Sequence, residues 1–506
     1  MRPHENRLLI PLLIILMFIA FSLPLAAGQW EEPSQILLTW QNDPTKTMTI
    51  TWRADVKNAD SLVYYSQDED PVKEGKRKEA KTFSFEETEA LLHTAELTGL
   101  EPNTKYRTIV ETAGEGSKEF LFRTAPAESR NISFVLGGDS RTNREYRRKI
   151  NQKVAHENPD FVLFTGDLVD NGLSESQWNA WFDDWHELMV TEDGRRIPLI
   201  PAIGNHELPG TFYYNRIPLP EQEKYYSLEY GPDLNLLTLD SGHTSEIDGP
   251  QLKWLEDTLT GYGEDEWIIA QQHIPAWPSY KDFFGDISTG IRNNWVPLFE
   301  EYGVDLVHEA DNHTYKRTEF LHGSDRIESY IDEFIEQEMK RAEREFDPEE
   351  DYSPWAREQL QKLSAGDYEE AGYDEDELLS AMEALAFEYS LYAKQQSHFS
   401  HEYVRELIED SDLYLRYWRE IGEAEEFEDL ISEEKGIVYI GDGGWGAPIR
   451  ELVPPEEWWW LKDAAGTYHY WSVKLLAEEE KLEVQPHFYY HEEDEWASGE
   501  KFTIEK

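Results

Sequence analysis

Cysteine is missing from all 506 residues. That excludes disulfides, thiolate metal sites, covalent haem attachment and a lipid-anchoring cysteine. Basic charge is scarce: 47 Lys and Arg face 103 Asp and Glu, leaving a net charge of −56 at pH 7. A field of that sign repels nucleic acid and anionic membranes, so a nucleic-acid partner is not expected. It also opposes an anionic substrate unless metal ions or local arginines reverse the sign at the site. Internal repeats are absent too. The acid is spread along the whole chain rather than gathered in one tail, which predicts a protein kept soluble in high salt, where screening removes the self-repulsion. Disorder does not account for the charge, because aromatic residues make up 13% of the chain and run through its length. At this length two or three domains are expected.

The first 28 residues have the layout of a targeting segment. Arg2 and Arg7 precede an apolar run from Leu8 to Leu23, and LPLAAG then supplies small residues suited to cleavage. A cleaved signal peptide would leave no membrane span, and an uncleaved anchor is the alternative. Either way the remainder is expected outside the cytoplasm, as a secreted, periplasmic or cell-surface protein.

Three patterns follow. From residue 34 to 125, ILLTW, TMTITW, SLVYYS, LHTAEL, KYRTIVET and KEFLFRT alternate apolar and polar residues between turn signals. Short strands at that density predict a β-sandwich, with Trp40 and Trp52 in its core. The stretch LTGLEPNTKYRTIVE resembles the fibronectin type III pattern. From 130 to 322, ISFVLGG, DFVLFTG, IPLIPAIG, LNLLTLD and EWIIAQQ are continuous apolar runs with helix-like segments between several of them. Runs of this kind suit strands buried on both faces of an α/β sheet. Residues 323–435 are dense in acid, with apolar positions at helical spacing such as Leu378, Met382 and Leu385, and predict an α-helical acidic insertion. GIVYIGDGGWGAPIR, HYWSVKLLA and KLEVQPHFYY then resume strand composition, so residues 436–506 are expected to complete the interrupted domain.

The α/β runs end in polar signatures. Asp139 follows one strand in GGDSRTN and Asp167 another in FTGDLVDNG. AIGNHE presents Asn205 and His206, IIAQQHIP presents His273, and LVHEADNHTYKR presents Asp311 and His313. Groups just beyond the carboxyl ends of strands meet in one crevice. A lone Gly-Asp is usually a turn and a lone buried histidine usually a satisfied core residue. Five such endings in one order point instead to a metal centre.

These blocks, GD, GD, GNHE, H and a closing HxH-like element, resemble the calcineurin-like metallophosphoesterases. With the preceding fibronectin-like domain, the chain looks most like the purple acid phosphatases. The resemblance covers residues 34–320, resumes near 436 and omits the insertion. It implies a catalytic domain of two β-sheets in a sandwich flanked by helices. It further implies two divalent or trivalent metal ions (Mn, Fe, Zn or Mg), about 3.5–4 Å apart, holding a hydroxide that attacks a phosphate ester. By that resemblance Asp167 spans both ions, Asp139 and His313 complete one position, and Asn205, His273 and Asp311 complete the other. His206 matches the histidine that bonds phosphate and protonates the leaving alkoxide. Arg141 and Asn143 stand where they can hold phosphate.

Three departures qualify the match. Asp170 replaces the tyrosine of GDxxY, Arg141 replaces the histidine of DxH, and Asp311 replaces a histidine of GHxH. Water, Asn143 or Asp170 is left to fill the first position, and a carboxylate at 311 favours hard ions such as Mn²⁺, Mg²⁺ or Fe²⁺. Glu309 is an alternative to Asp311. His308 reads as a strand bystander, and the Asn312 glycosylation sequon as coincidence. Phe212, Tyr213, Tyr214, Trp277, Tyr280 and Phe283 are either loop packing or a stacking surface for an aryl group. The expected function is hydrolysis of small phosphate esters, monoesters favoured. The alternatives are a nucleotide or phospholipid phosphodiesterase, or a degenerate relative that keeps only structural metal and serves adhesion or binding.

Overall fold

The computed structural model describes residues 32–57, 59–84, 91–220, 224–280, 285–323, 430–432, 435–450, 452 and 460–506. The expected targeting segment, nearly all of the expected acidic insertion and Phe283 lie outside the described residues.

The described residues between 34 and 123 fold as two antiparallel sheets. One pairs Ser34–Thr39, Met48–Arg53, Leu92–Leu97 and Lys81–Phe83. The other is built on Ser61–Ser66 and Lys105–Thr112, with Lys76–Glu79, Glu115–Gly116 and Phe120–Arg123 alongside. All six stretches read from alternation are strands. Lys76–Glu79 was not anticipated, because its KRKE sequence has no apolar residue and is exposed throughout. Charged side chains of that kind suit an unprotected sheet edge. Trp52 sits in the sandwich core, whereas Trp40 packs outward, its ring 6.5 Å from Phe161 and 5.6 Å from Tyr230 of the next domain. One apolar core therefore runs through both domains.

The α/β domain has two seven-stranded sheets. In the first, Leu199–Pro201, Phe161–Phe164 and Ile132–Gly137 run parallel, and Ile132–Gly137 then pairs antiparallel with Tyr468–Leu476. FVLF at 161–164 is buried at every position, as a continuous apolar run requires when both faces are covered. In the second, Leu234–Thr238, Trp267–Gln271, Leu306–His308 and Val438–Gly441 run parallel. Side chains of this sheet alternate between two cores. Leu236, Ile269, Leu306 and Val438 face the first sheet, while Leu237, Ile268, Val307 and Tyr439 face the flanking helices. Tyr315 stacks on Trp471 across the sandwich, ring centroids 5.2 Å apart.

Val438–Gly441 lies between Leu306–His308 and Tyr315–Thr318, so chain from beyond the insertion completes the middle of this sheet. At the insertion's base, Phe320–Leu321 pairs antiparallel with Ile431–Ser432. Among the described residues no helix is long and apolar enough to cross a membrane.

Candidate metal centre

The expected donors converge from five strand ends. Asp139 follows Ile132–Gly137, Asp167 follows Phe161–Phe164, and Asn205 follows Leu199–Pro201 in the first sheet. His273 follows Trp267–Gln271, and Asp311 and His313 follow Leu306–His308 in the second. The centre therefore straddles the ends of both sheets. Four of these residues have left-handed backbone: Asp139 at φ 56°, Asp167 at 54°, Asp311 at 71° and His313 at 56°. For residues with a Cβ that conformation costs about 1–3 kcal/mol each and gathers at functional sites.

Each imidazole is oriented through its far nitrogen. His273 Nδ1–H donates to the Thr165 carbonyl at 2.7 Å, and His313 Nδ1–H donates to the Pro448 carbonyl at 2.9 Å. Both Nε2 atoms consequently face the cluster, because a backbone carbonyl bonded to Nδ1–H fixes the tautomer and the ring of a metal-ligating histidine. His273 Nε2 lies 3.1 Å from Asn205 Oδ1, 3.4 Å from Asp167 Oδ1 and 3.8 Å from Asp311 Oδ1. His313 Nε2 lies 3.3 Å from Asp139 Oδ1.

The residues fit a cation. Asp139 Oδ1 and Asp167 Oδ2 are buried and find no hydrogen-bond donor, a costly arrangement unless something positive occupies the space between them. Donor atoms of Asp139, Asp167 and His273 all lie within 4.8 Å of one another. Burial opposes a charged His273, yet Asp167, Asp139 and Asp311 push it up to about 9. Burial raises Asp167, and the neighbouring Asp139 charge adds to that against the pull of His273. Burial also works against ionised Asp139, but His313 beside it holds its carboxyl below the usual range. A cation held there would offset the clustered carboxylates and displace the imidazole proton.

Arg141 reaches into this space. Its Nη2 donates to His313 Nε2 at 3.1 Å, its Nη1 to Asp170 Oδ1 at 2.9 Å, and its Nε sits 3.0 Å from Asp167 Oδ2 in an ion pair too bent to be a hydrogen bond. His206 donates from Nδ1 to the Asp170 carbonyl at 2.7 Å, and its Nε2 lies 3.9 Å from Asp167 Oδ2 at the half-buried rim.

Three expectations about neighbouring residues need correction. Asn143 is not brought into the cluster: it caps helix Arg144–His156, its Oδ1 accepting the Tyr146 N–H. Asp170 does not fill a ligand gap but pairs with Arg141 and Thr142. Glu309 is no rival to Asp311, because it is fully buried and bound to the Lys316 ammonium at 2.5 Å, the Gln272 amide and the Ala276 N–H. Phe212, Tyr213 and Trp277 are buried packing. Asn312 is 1% exposed and accepts the Tyr280 N–H, so its sequon is unavailable to a glycan.

Several residues that shape the site went unnoticed in the sequence. Fully buried Glu207 accepts the N–H groups of Gly204, Asp167 and Leu168, each at 2.8 Å. Burial and Asp167 push its carboxyl up to about 8, against the pull of those donors. Its place in GNHE was the available signal. At Gly443 (φ 87°) a Cβ would fall 1.7 Å from Asp139 Oδ2, so only glycine lets the backbone approach that carboxylate.

Residues 33–124 match the family described as purple acid phosphatase, N-terminal domain, and residues 135–315 match calcineurin-like phosphoesterase. An uncharacterised protein of Mycobacterium tuberculosis is 26% identical over 284 residues, covering 47% of this chain and 52% of its own. Purple acid phosphatase 1 of Ipomoea batatas is 24% identical over 313 residues, covering 57% and 65%. The chain thus spans between about half and two thirds of the length of these relatives. The structure of a purple acid phosphatase from yellow lupin seeds superposes with a TM-score of 0.61 at 14% identity, over 94% of this chain and 74% of that one. That likeness speaks for the fold.

Proposed function

From the premise that a purple acid phosphatase N-terminal domain is joined here to a calcineurin-like phosphoesterase domain, we propose that the chain is an exported, metal-dependent phosphoesterase of small phosphate esters. One observation carries the reading. Six potential ligands from five strand ends meet around two buried carboxylate oxygens that accept no hydrogen bond, one of them ion-paired to Arg141, with both imidazoles pinned through Nδ1. Asp139, Asp167 and His313 offer a first position for an ion, and Asp167, Asn205, His273 and Asp311 would hold an ion at the second. When bound, such ions supply charge neutralisation of the phosphoryl group and acidification of a water.

The chain's own groups do the rest. His206, fixed by its Nδ1–H to Asp170, presents Nε2 at the rim, where it can hydrogen-bond a phosphoryl oxygen and pass a proton to the departing alkoxide. Arg141 brings a fixed positive charge, with the fork geometry that suits phosphate. Asn205 contributes a neutral ligand, which limits the negative charge a phosphate must approach.

Monoesters are the favoured substrates, a preference supported by the phosphatase names of the relatives. Export rests on the charged and apolar layout of residues 1–28, and the net charge of −56 supports work in high salt.

The test is metal analysis of protein purified in high salt, with paired assays on an aryl phosphate monoester and diester. Metal-dependent turnover, faster on the monoester, is expected. Asp167→Asn and His273→Ala should each bring bound metal and turnover to background. Hydrolysis that survives both substitutions would remove the assignment.

A further inference from the structure

The two metal positions are not equivalent, and Arg141 is the reason. At the second position, His273 Nε2 lies near Asn205 Oδ1, Asp167 Oδ1 and Asp311 Oδ1, and no lysine or arginine is paired with these four atoms among the described residues. At the first, the Arg141 guanidinium already lies against two of the three expected ligands. His313 has spent its Nδ1–H on Pro448, so the Nε2 lone pair is all it can offer an ion, and an Arg141 N–H takes it.

The guanidinium is held at both ends. At its root, the Arg141 N–H donates to the Asp167 carbonyl at 3.2 Å and the Ser140 N–H to the same oxygen at 3.0 Å. Thr142 is locked at φ 72°, and Asn143 begins a helix. At its tip, Asp170 accepts Nη1, and Thr142 Oγ1 adds a 3.2 Å bond to the same carboxylate oxygen. Only 14% of the side chain is exposed. Arginine stays protonated at any pH a protein survives, so this charge cannot be switched off to admit an ion. Two departures from the family pattern thereby become one. Arginine stands where DxH has histidine, aspartate where GDxxY has tyrosine, and the two residues bind each other.

We propose, building on the phosphoesterase reading above, that the Arg141 guanidinium takes the place of one cation, so that the centre works with a single ion beside a fixed arginine. Asp170 and His313 then act as positioning residues for Arg141, and the fork meets the phosphoryl oxygens that the missing ion would have met.

Manganese loading separates the outcomes. The full chain, dialysed against excess Mn²⁺ in high salt and freed of unbound metal, is expected to retain one ion per chain. Its electron paramagnetic resonance spectrum should show the hyperfine pattern of an isolated Mn²⁺. Arg141→His, and to a lesser degree Arg141→Ala, should raise the content toward two ions and bring in an exchange-coupled spectrum. Two coupled ions in the wild type would overturn the inference while leaving the phosphoesterase reading intact. So would retention of one ion by Arg141→His with an unchanged spectrum. No bound ion in any form would bring down the phosphoesterase reading itself. The wild-type measurement decides the matter alone should a variant fail to fold.

Discussion

The Glu207 carboxylate accepts the backbone N–H of Asp167 at 2.8 Å, and its other oxygen accepts Leu168 at the same distance. A residue two places beyond Asn205 thus fixes the loop that carries the central carboxylate. In Glu207→Gln the amide would turn N–H groups toward donors already in place. Metal affinity should fall about 10–100-fold. Calorimetric titration of metal-stripped protein measures it, and unchanged affinity would deny Glu207 that role.

Gly443→Ala tests the close approach behind Asp139. The added methyl both collides with Asp139 Oδ2 and occupies a φ of 87° that alanine resists. The strain should cost about 1–3 kcal/mol and move Asp139 away from the other donors. The midpoint of thermal unfolding should fall, and a variant as stable as the wild type would contradict the geometry.

Lys316 is fully buried between Glu309, at 2.5 Å, and Asp442, at 3.4 Å. Lys316→Met removes the positive charge and leaves two buried carboxylates without it. Loss of one member of a buried ion pair costs about 3–5 kcal/mol. Denaturant unfolding should show that loss, and the double change Lys316→Met with Glu309→Gln should recover part of it.

At the junction of the two domains, the Ile36 N–H donates to His186 Nδ1 at 3.1 Å, which requires an unprotonated nitrogen. Burial, aided by Arg196, pushes His186 from its ordinary 6.5 down to about 4. The unfolded chain therefore takes up this proton first. Its contribution is complete above pH 6.5 and is lost as pH falls toward 4, roughly 3 kcal/mol in all. His186→Gln cannot titrate, so its unfolding midpoint should fall less than the wild type's between pH 7.5 and 4.5. Parallel curves would reject the assignment.

Much of the fold was legible because buried parallel strands leave continuous apolar runs such as FVLF and WIIAQ, each closed by its own polar ending. Alternation likewise exposed the sandwich strands, while KRKE, with no apolar face, left no trace. The donors could be read because strand ends carry them. What surrounds them could not. Glu207 bonds backbone groups some forty residues earlier, Gly443 matters through Asp139 three hundred residues away, and Pro448 orients His313 with a carbonyl that any residue possesses. Whether Asn143 points to a ligand or to its own helix is likewise a matter of one side-chain rotation.

The strand Val438–Gly441 in the middle of the second sheet sets an order of events during synthesis. A ribosome releases the chain from its N-terminus, so all six prospective ligands, the last at His313, emerge well before that strand. Until it arrives, Leu306–His308 lacks its parallel neighbour, His313 lacks the Pro448 carbonyl, and Asp139 lacks the glycine packed behind it. The nascent protein would carry every donor and yet have no finished place to put an ion. Capture of a metal would thereby wait for residues 438–448.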